Sequence, residues 1–172
     1  KTRPTLKENP KGKTLKEILI HLVRGNKKTH ERFRFPQRAQ IIKELLRVLI
    51  SSHEKGIIHR DIKPDNIMVS EHGEVYLMDW GIAMDINISN KQTNICGTPL
   101  YMAPEQVLGQ EIGPHTDIFS LGMVFYHLMT LYPPRKICSL AQMLRNVSKE
   151  KPLQPDNRHH PSQGYNPSEY RF

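Results

Sequence analysis

The chain has 172 residues and a mass of 20.0 kDa, which suits one medium domain or part of a larger one and excludes two complete domains. Hydrophobic residues make up 37% and the mean hydropathy is -0.56, so the chain can bury a lean core but is not polar enough for wholesale disorder. The net charge of +8 is concentrated: residues 1–47 hold 14 basic and 4 acidic side chains, and the remainder is close to neutral.

No apolar run approaches the ~18 residues that cross a bilayer, and the first residues lack the apolar stretch of a signal peptide. Cys96 and Cys138 are too few for a bridge framework and lack zinc-site spacing, so two unpaired thiols in a reducing, cytoplasmic setting are expected. The basic surplus is read as a solvated face, as Lys and Arg on helices mostly are. No nucleic-acid partner is therefore expected.

In chain order, Leu15, Ile18, Leu19 and Leu22 recur at helical spacing between Thr14 and Gly25, which predicts a short capped helix. Residues 26–34 are polar and charged and read as a loop. A second, stronger helix starts near Pro36 and ends before Gly56, with Ile42, Leu45, Leu46, Leu49, Ile50 and His53 on one side. Short strands are expected at 57–58, 66–69 and 75–78, the last two joined by a turn. The segment 85–96 lacks either period and reads as a loop. Residues 116–131 are apolar on nearly every side, as in a buried helix, and a weaker helix is expected over 140–147. The Pro-containing stretch 151–172 reads as a tail.

The chemistry is concentrated in His59-Arg60-Asp61-Ile62-Lys63-Pro64-Asp65-Asn66, in Asp79-Trp80-Gly81 and in Ala103-Pro104-Glu105. Asp61, Asp79, Asn66 and Lys63 fall in loops at the ends of short strands. Such a set can offer hard oxygens to Mg²⁺ and a cation to phosphate, and still keep one carboxylate to accept a proton. Phosphoryl transfer asks for little else, since its catalysis is mostly positioning and electrostatics.

The first of these segments resembles the catalytic loop of protein kinases, H-R-D-x-x-x-x-N, and Asp79-Trp80-Gly81 resembles their D-F-G turn. Gly97 to Glu105 (GTPLYMAPE) is similar to the end of an activation segment, most closely that of bacterial members. The resemblance implies an α+β, protein-kinase-like fold: a mainly helical C-terminal lobe with a few short strands, the N-terminal lobe missing. It implies an N-terminal remnant over 1–13, a partial large lobe over 14–150 and a tail over 151–172.

Transfer of the γ-phosphoryl group of ATP to Ser or Thr hydroxyls of a protein substrate is the implied activity, with Mg²⁺. Asp61 corresponds to the catalytic base, and Lys63 and Thr98 to its serine/threonine-type partners. Lys63, Asn66 and Asp79 correspond to the nucleotide-binding positions, Asn66 and Asp79 being the metal-holding pair. His59 and Asp117 are implied braces of the loop. Arg60 is a candidate receiver for phosphorylated Ser89 or Thr93. Trp80 replaces the usual Phe as a larger apolar plug.

His53 is read as a helix-face residue and His159-His160 as tail residues. No G-x-G-x-x-G loop and no V-A-I-K-like strand occur in the 172 residues, and no Arg partner for Glu105 is evident after Pro152. Three alternatives stay open: a non-catalytic kinase-like binding module, a small-molecule phosphotransferase and a basic nucleic-acid binder.

Overall fold

The computed structural model describes residues 11–88, 94–136 and 138–149. Its first element, β1 (Gly12–Thr14), pairs antiparallel with β3 (Ile67–Ser70), which pairs in turn with β4 (Val75–Leu77). A second ribbon joins β2 (Ile57–Ile58) to β5 (Met84–Asp85). Glycine is required at position 12, where an added Cβ would lie 2.5 Å from the Val69 carbonyl oxygen.

Six α-helices and a 3-10 turn (Pro64–Asn66) complete the described elements: α1 (Leu15–Val23), α2 (Lys27–Arg32), α3 (Phe35–His53), α4 (Pro104–Leu108), α5 (Pro114–Thr130) and α6 (Leu140–Lys149). Thr14 caps α1 through a reciprocal box. Its hydroxyl accepts from the Glu17 amide at 3.2 Å, and its own amide donates to Glu17 at 2.7 Å. That amide holds the Glu17 carboxyl below the usual carboxylate range.

The region 26–34 is not the loop expected from its polarity. Asn26 accepts from the Thr29 amide at 3.0 Å and starts α2, whose His30 imidazole bonds the Leu22 carbonyl at 2.7 Å. None of the six residues of α2 is buried, so an apolar period has nothing to report there.

The core runs between α1, α3, α5 and the three-stranded sheet. Leu15, Ile18, Leu22, Leu45, Leu49, Ile67, Val124 and Leu128 are all almost fully buried. On α3 the buried stripe is Ile41, Leu45 and Leu49; Leu45 and Leu49 belong to the expected face, Ile41 does not, and the expected Leu46 and Ile50 are 38% and 58% exposed. The expected all-round burial of α5 is also incomplete, because Ile118 and Phe125 are more than 40% exposed.

The remaining expected elements stand within a residue or two, β3–β4 as the anticipated hairpin. The expected 85–96 loop begins inside β5, and its residues 89–93, like the tail from 150 on, lie outside the described residues. Both cysteines are unpaired. Among the described residues, no helix is long and apolar enough to cross a membrane.

Candidate active site

The loop from His59 to Asn66 connects β2 to β3 and is anchored from α5. Asp117, completely buried in the first turn of α5, accepts from the His59 amide, the Arg60 amide and the His53 Nε2–H at 2.8–2.9 Å. A buried carboxylate without such donors would cost several kcal/mol. Asp117 therefore exchanges its lost hydration for three donors and holds the loop to the helix in doing so.

His59 is buried as well. Its Nε2 bonds the Met78 carbonyl at 2.9 Å, which leaves Nδ1 to accept from the Asp61 amide at 3.3 Å. Both residues act as the braces the resemblance implies. His53 is more than a helix-face residue: it is a direct partner of Asp117.

Arg60 has φ +67, a left-handed conformation that costs a side-chain-bearing residue ~1–2 kcal/mol. Three bonds over-determine it. Its amide donates to Asp117, its carbonyl accepts from Gln106 Nε2 at 2.8 Å, and its Nε donates to the Ile82 carbonyl at 2.6 Å. Ser89 and Thr93 lie outside the described residues.

This bend projects Asp61 into a closed set of contacts. Oδ1 accepts from the Thr98 hydroxyl at 2.8 Å, and Oδ2 faces Lys63 Nζ at 2.7 Å. Lys63 Nζ also donates to Thr98 Oγ at 3.0 Å, which closes a triangle of carboxylate, ammonium and hydroxyl. Asn66 Nδ2 donates to the Asp61 carbonyl at 2.9 Å and to Oδ2 at 3.2 Å. The Asp61 side chain retains 11% exposure and that of Lys63 22%, so the cluster is sheltered but reachable.

Thr98 comes from a segment 37 positions away in sequence, and Gln106 fastens it: Nε2 bonds both the Arg60 and the Cys96 carbonyl oxygens. Sequence reasoning passed over Gln106; its place immediately after Ala103-Pro104-Glu105 was the available signal.

Asp79 is next to this cluster along the backbone, because the Met78 amide donates to the Asn66 carbonyl at 2.8 Å. Its carboxylate takes no part in the triangle. It sits at φ +58, exposed, and accepts a long bond of 3.4 Å from the Gly81 amide. The amide of Asn66 is turned by its donation to Asp61, so its oxygen is uncommitted, as is one Asp79 oxygen. One carboxylate and one amide oxygen suit Mg²⁺, a hard cation that is held by one or two protein groups and keeps waters and phosphate oxygens for its remaining positions.

Trp80 is not a buried plug. It is 37% exposed, its indole N–H donates to the Leu77 carbonyl at 3.1 Å, and its ring meets His59 edge-on at 4.6 Å. Glu105 accepts from the Thr116 hydroxyl at 2.8 Å and has His115 Nε2 at 3.5 Å, so its partners here come from the start of α5.

The protein kinase domain family model matches residues 6–166 of the chain, a span that includes every residue of this cluster. The chain belongs to that family. It is 39% identical to the serine/threonine-protein kinase PknD of Protochlamydia amoebophila, over 62% of this chain and 13% of that protein. It is 39% identical to the serine/threonine-protein kinase PknB of Mycobacterium leprae, over 72% of this chain and 21% of that protein. The serine/threonine-protein kinase STE20 of Eremothecium gossypii is 46% identical over 57% of this chain and 10% of its own length. The chain thus spans about a fifth or less of the length of these relatives.

Proposed function

We propose that the protein containing this chain transfers the γ-phosphoryl group of ATP to Ser or Thr hydroxyls of a protein substrate. The observation that carries this reading is the Asp61–Lys63–Thr98 triangle, with contacts of 2.7, 2.8 and 3.0 Å.

Asp61 is the base. Its two oxygens are oriented by Thr98 and Lys63, and the remaining lone pair on Oδ1 accepts the proton of the attacking hydroxyl as its oxygen bonds to the γ-phosphorus and the bond from that phosphorus to the β–γ bridging oxygen breaks, releasing ADP. Lys63 spends two of its three N–H donors inside the triangle and keeps one for an oxygen of the phosphoryl group in flight. Charge developing on that group is thereby met by a donor already in place, which lowers the reorganisation needed at the moment of transfer. Asn66 and Asp79 are the residues that would hold Mg²⁺, which when bound neutralises the nucleotide phosphates.

The Lys–Thr pairing beside the base, together with the serine/threonine kinases among the relatives, favours aliphatic hydroxyls as acceptors. Two unpaired cysteines agree with a cytoplasmic setting for this lobe.

Asp61→Asn keeps size and hydrogen-bonding reach but removes the proton acceptor. In the full-length protein it should lower kcat by at least 10²-fold, with the unfolding midpoint little changed. Retention of near wild-type turnover would refute the assignment.

A further inference from the structure

We propose that the face formed by β1, α1, α2 and the β3–β4 turn docks an acidic peptide segment that carries an apolar anchor residue. Two adjoining cavities of about 270 and 300 Å³ open there and share Arg32, Phe33, Val69 and Glu71 as walls. Each is small against the ~300–1,000 Å³ of a whole small-molecule site. Together they form a trough that accepts one or two side chains of an extended chain. None of the residues of the catalytic triangle lines either cavity.

The floor is apolar, from Ile18, Phe33 and Val69, and the rim of the first cavity is cationic, from Lys13, Lys28 and Arg32. The rim is held open rather than collapsed, because Arg32 Nη2 donates to the carbonyls of Ser70 and Glu71 at 3.1 and 2.9 Å while its guanidinium lies 5.3 Å from the centre of the Phe33 ring.

Positive charge here exceeds what the described residues neutralise. Residues 11–34 carry eight Lys or Arg against two Glu. Lys16 is paired with Asp65 at 2.6 Å and Glu17 is engaged in the cap of α1, while among the described residues no acidic side chain pairs with Lys28. Glu71 is the one acidic wall residue and sets a limit on how deep an acidic side chain can sit. The complementary ligand therefore places its apolar residue in the trough and its carboxylates along the Lys13–Lys28 rim, where charge complementarity raises association rate and selects partners.

Nucleic acid is disfavoured as occupant, since Phe33, the one Phe, Tyr or Trp among the described residues lining the trough, is 8% exposed and offers no face for base stacking.

The test is fluorescence anisotropy of three labelled probes with the full chain at two salt concentrations: an extended peptide of alternating Glu with a central Leu-x-Leu, the same peptide with Lys for Glu, and a single-stranded oligonucleotide. The acidic peptide should bind at least tenfold tighter than the basic one. Its affinity should fall at least tenfold in the Lys13→Glu, Lys28→Glu double variant, whose circular dichroism and melting should match the parent.

Replacing the two Leu of the probe by Ser should weaken binding independently of salt. Equal binding of both peptides, no binding of the acidic one, insensitivity to charge reversal, or tighter binding of the oligonucleotide would each overturn the proposal.

Discussion

Asp61 shows how a single carboxylate is made useful by neighbours that take opposite ends of it. The Thr98 hydroxyl is both acceptor from Lys63 and donor to Asp61, so it transmits order between the two charged groups. Thr98→Ala leaves the charges in contact but unlocks their orientation, and kcat should fall about tenfold to a hundredfold, with recovery in Thr98→Ser; steady-state assays of the two variants check this. Gly97, one position earlier, sits at φ +115, and an added Cβ would lie 2.9 Å from the Arg60 carbonyl. Gly97→Ala should therefore destabilise the fold by about 1–3 kcal/mol, read as a lower urea midpoint, because neither backbone can yield without breaking the Gln106 bond to Arg60.

Among the elements, α5 is the organiser: its first turn holds the His59–Asn66 loop through Asp117, and its last turns bury His127 against Tyr101. The His127 ring is 3% exposed, and burial pushes its pKa down from the ordinary 6.5 to about 4. The unfolded chain takes up a proton near pH 6.5 that the folded chain refuses until about pH 4, so the folded state loses stability as pH falls through that window. The loss should total roughly 3 kcal/mol and level off below pH 4. Urea midpoints of the parent and of His127→Gln between pH 7 and 4 should diverge, with the variant's profile the shallower; parallel profiles would exclude His127 as the source.

α2 and α3 show what the pattern of apolar residues can and cannot convey. Periodicity located α3 and its buried Leu45 and Leu49, yet it drew the stripe toward Leu46 and Ile50 and left out Ile41, since Ile42, Leu46 and Ile50 form an equally apolar neighbouring row. Which row turns inward is decided by where α5 and β4 pack, and no local signal carries that. α2 escaped notice because its stability comes from the Asn26 cap, His30 and Arg32 bonding back to Leu22, Ser70 and Glu71, not from a buried face.

For the molecule as a whole, the proposed base, its lysine and hydroxyl partners and the proposed metal-holding pair all lie within the described residues. The glycine-rich loop and strand lysine that hold phosphates in the family do not occur in the 172 residues. A polypeptide restricted to these residues should transfer phosphate to a generic basic protein substrate at background rate, measured with radiolabelled ATP. Robust transfer that is lost in Asp61→Asn would show that this lobe suffices.

The order and identity of Asp61, Lys63, Asn66, Asp79 and Thr98 were present in the amino-acid string, because the short motifs that carry the family resemblance contain those side chains at fixed spacing. The string also disclosed the helices whose apolar faces repeat regularly. Only the folded chain decided that Thr98 meets Asp61 across 37 positions, that Gln106 and Asp117 clamp the loop from two sides, and that Trp80 is partly exposed. Those outcomes depend on long-range packing, where segments distant in sequence share one buried polar network, and a network of that kind has no period to read.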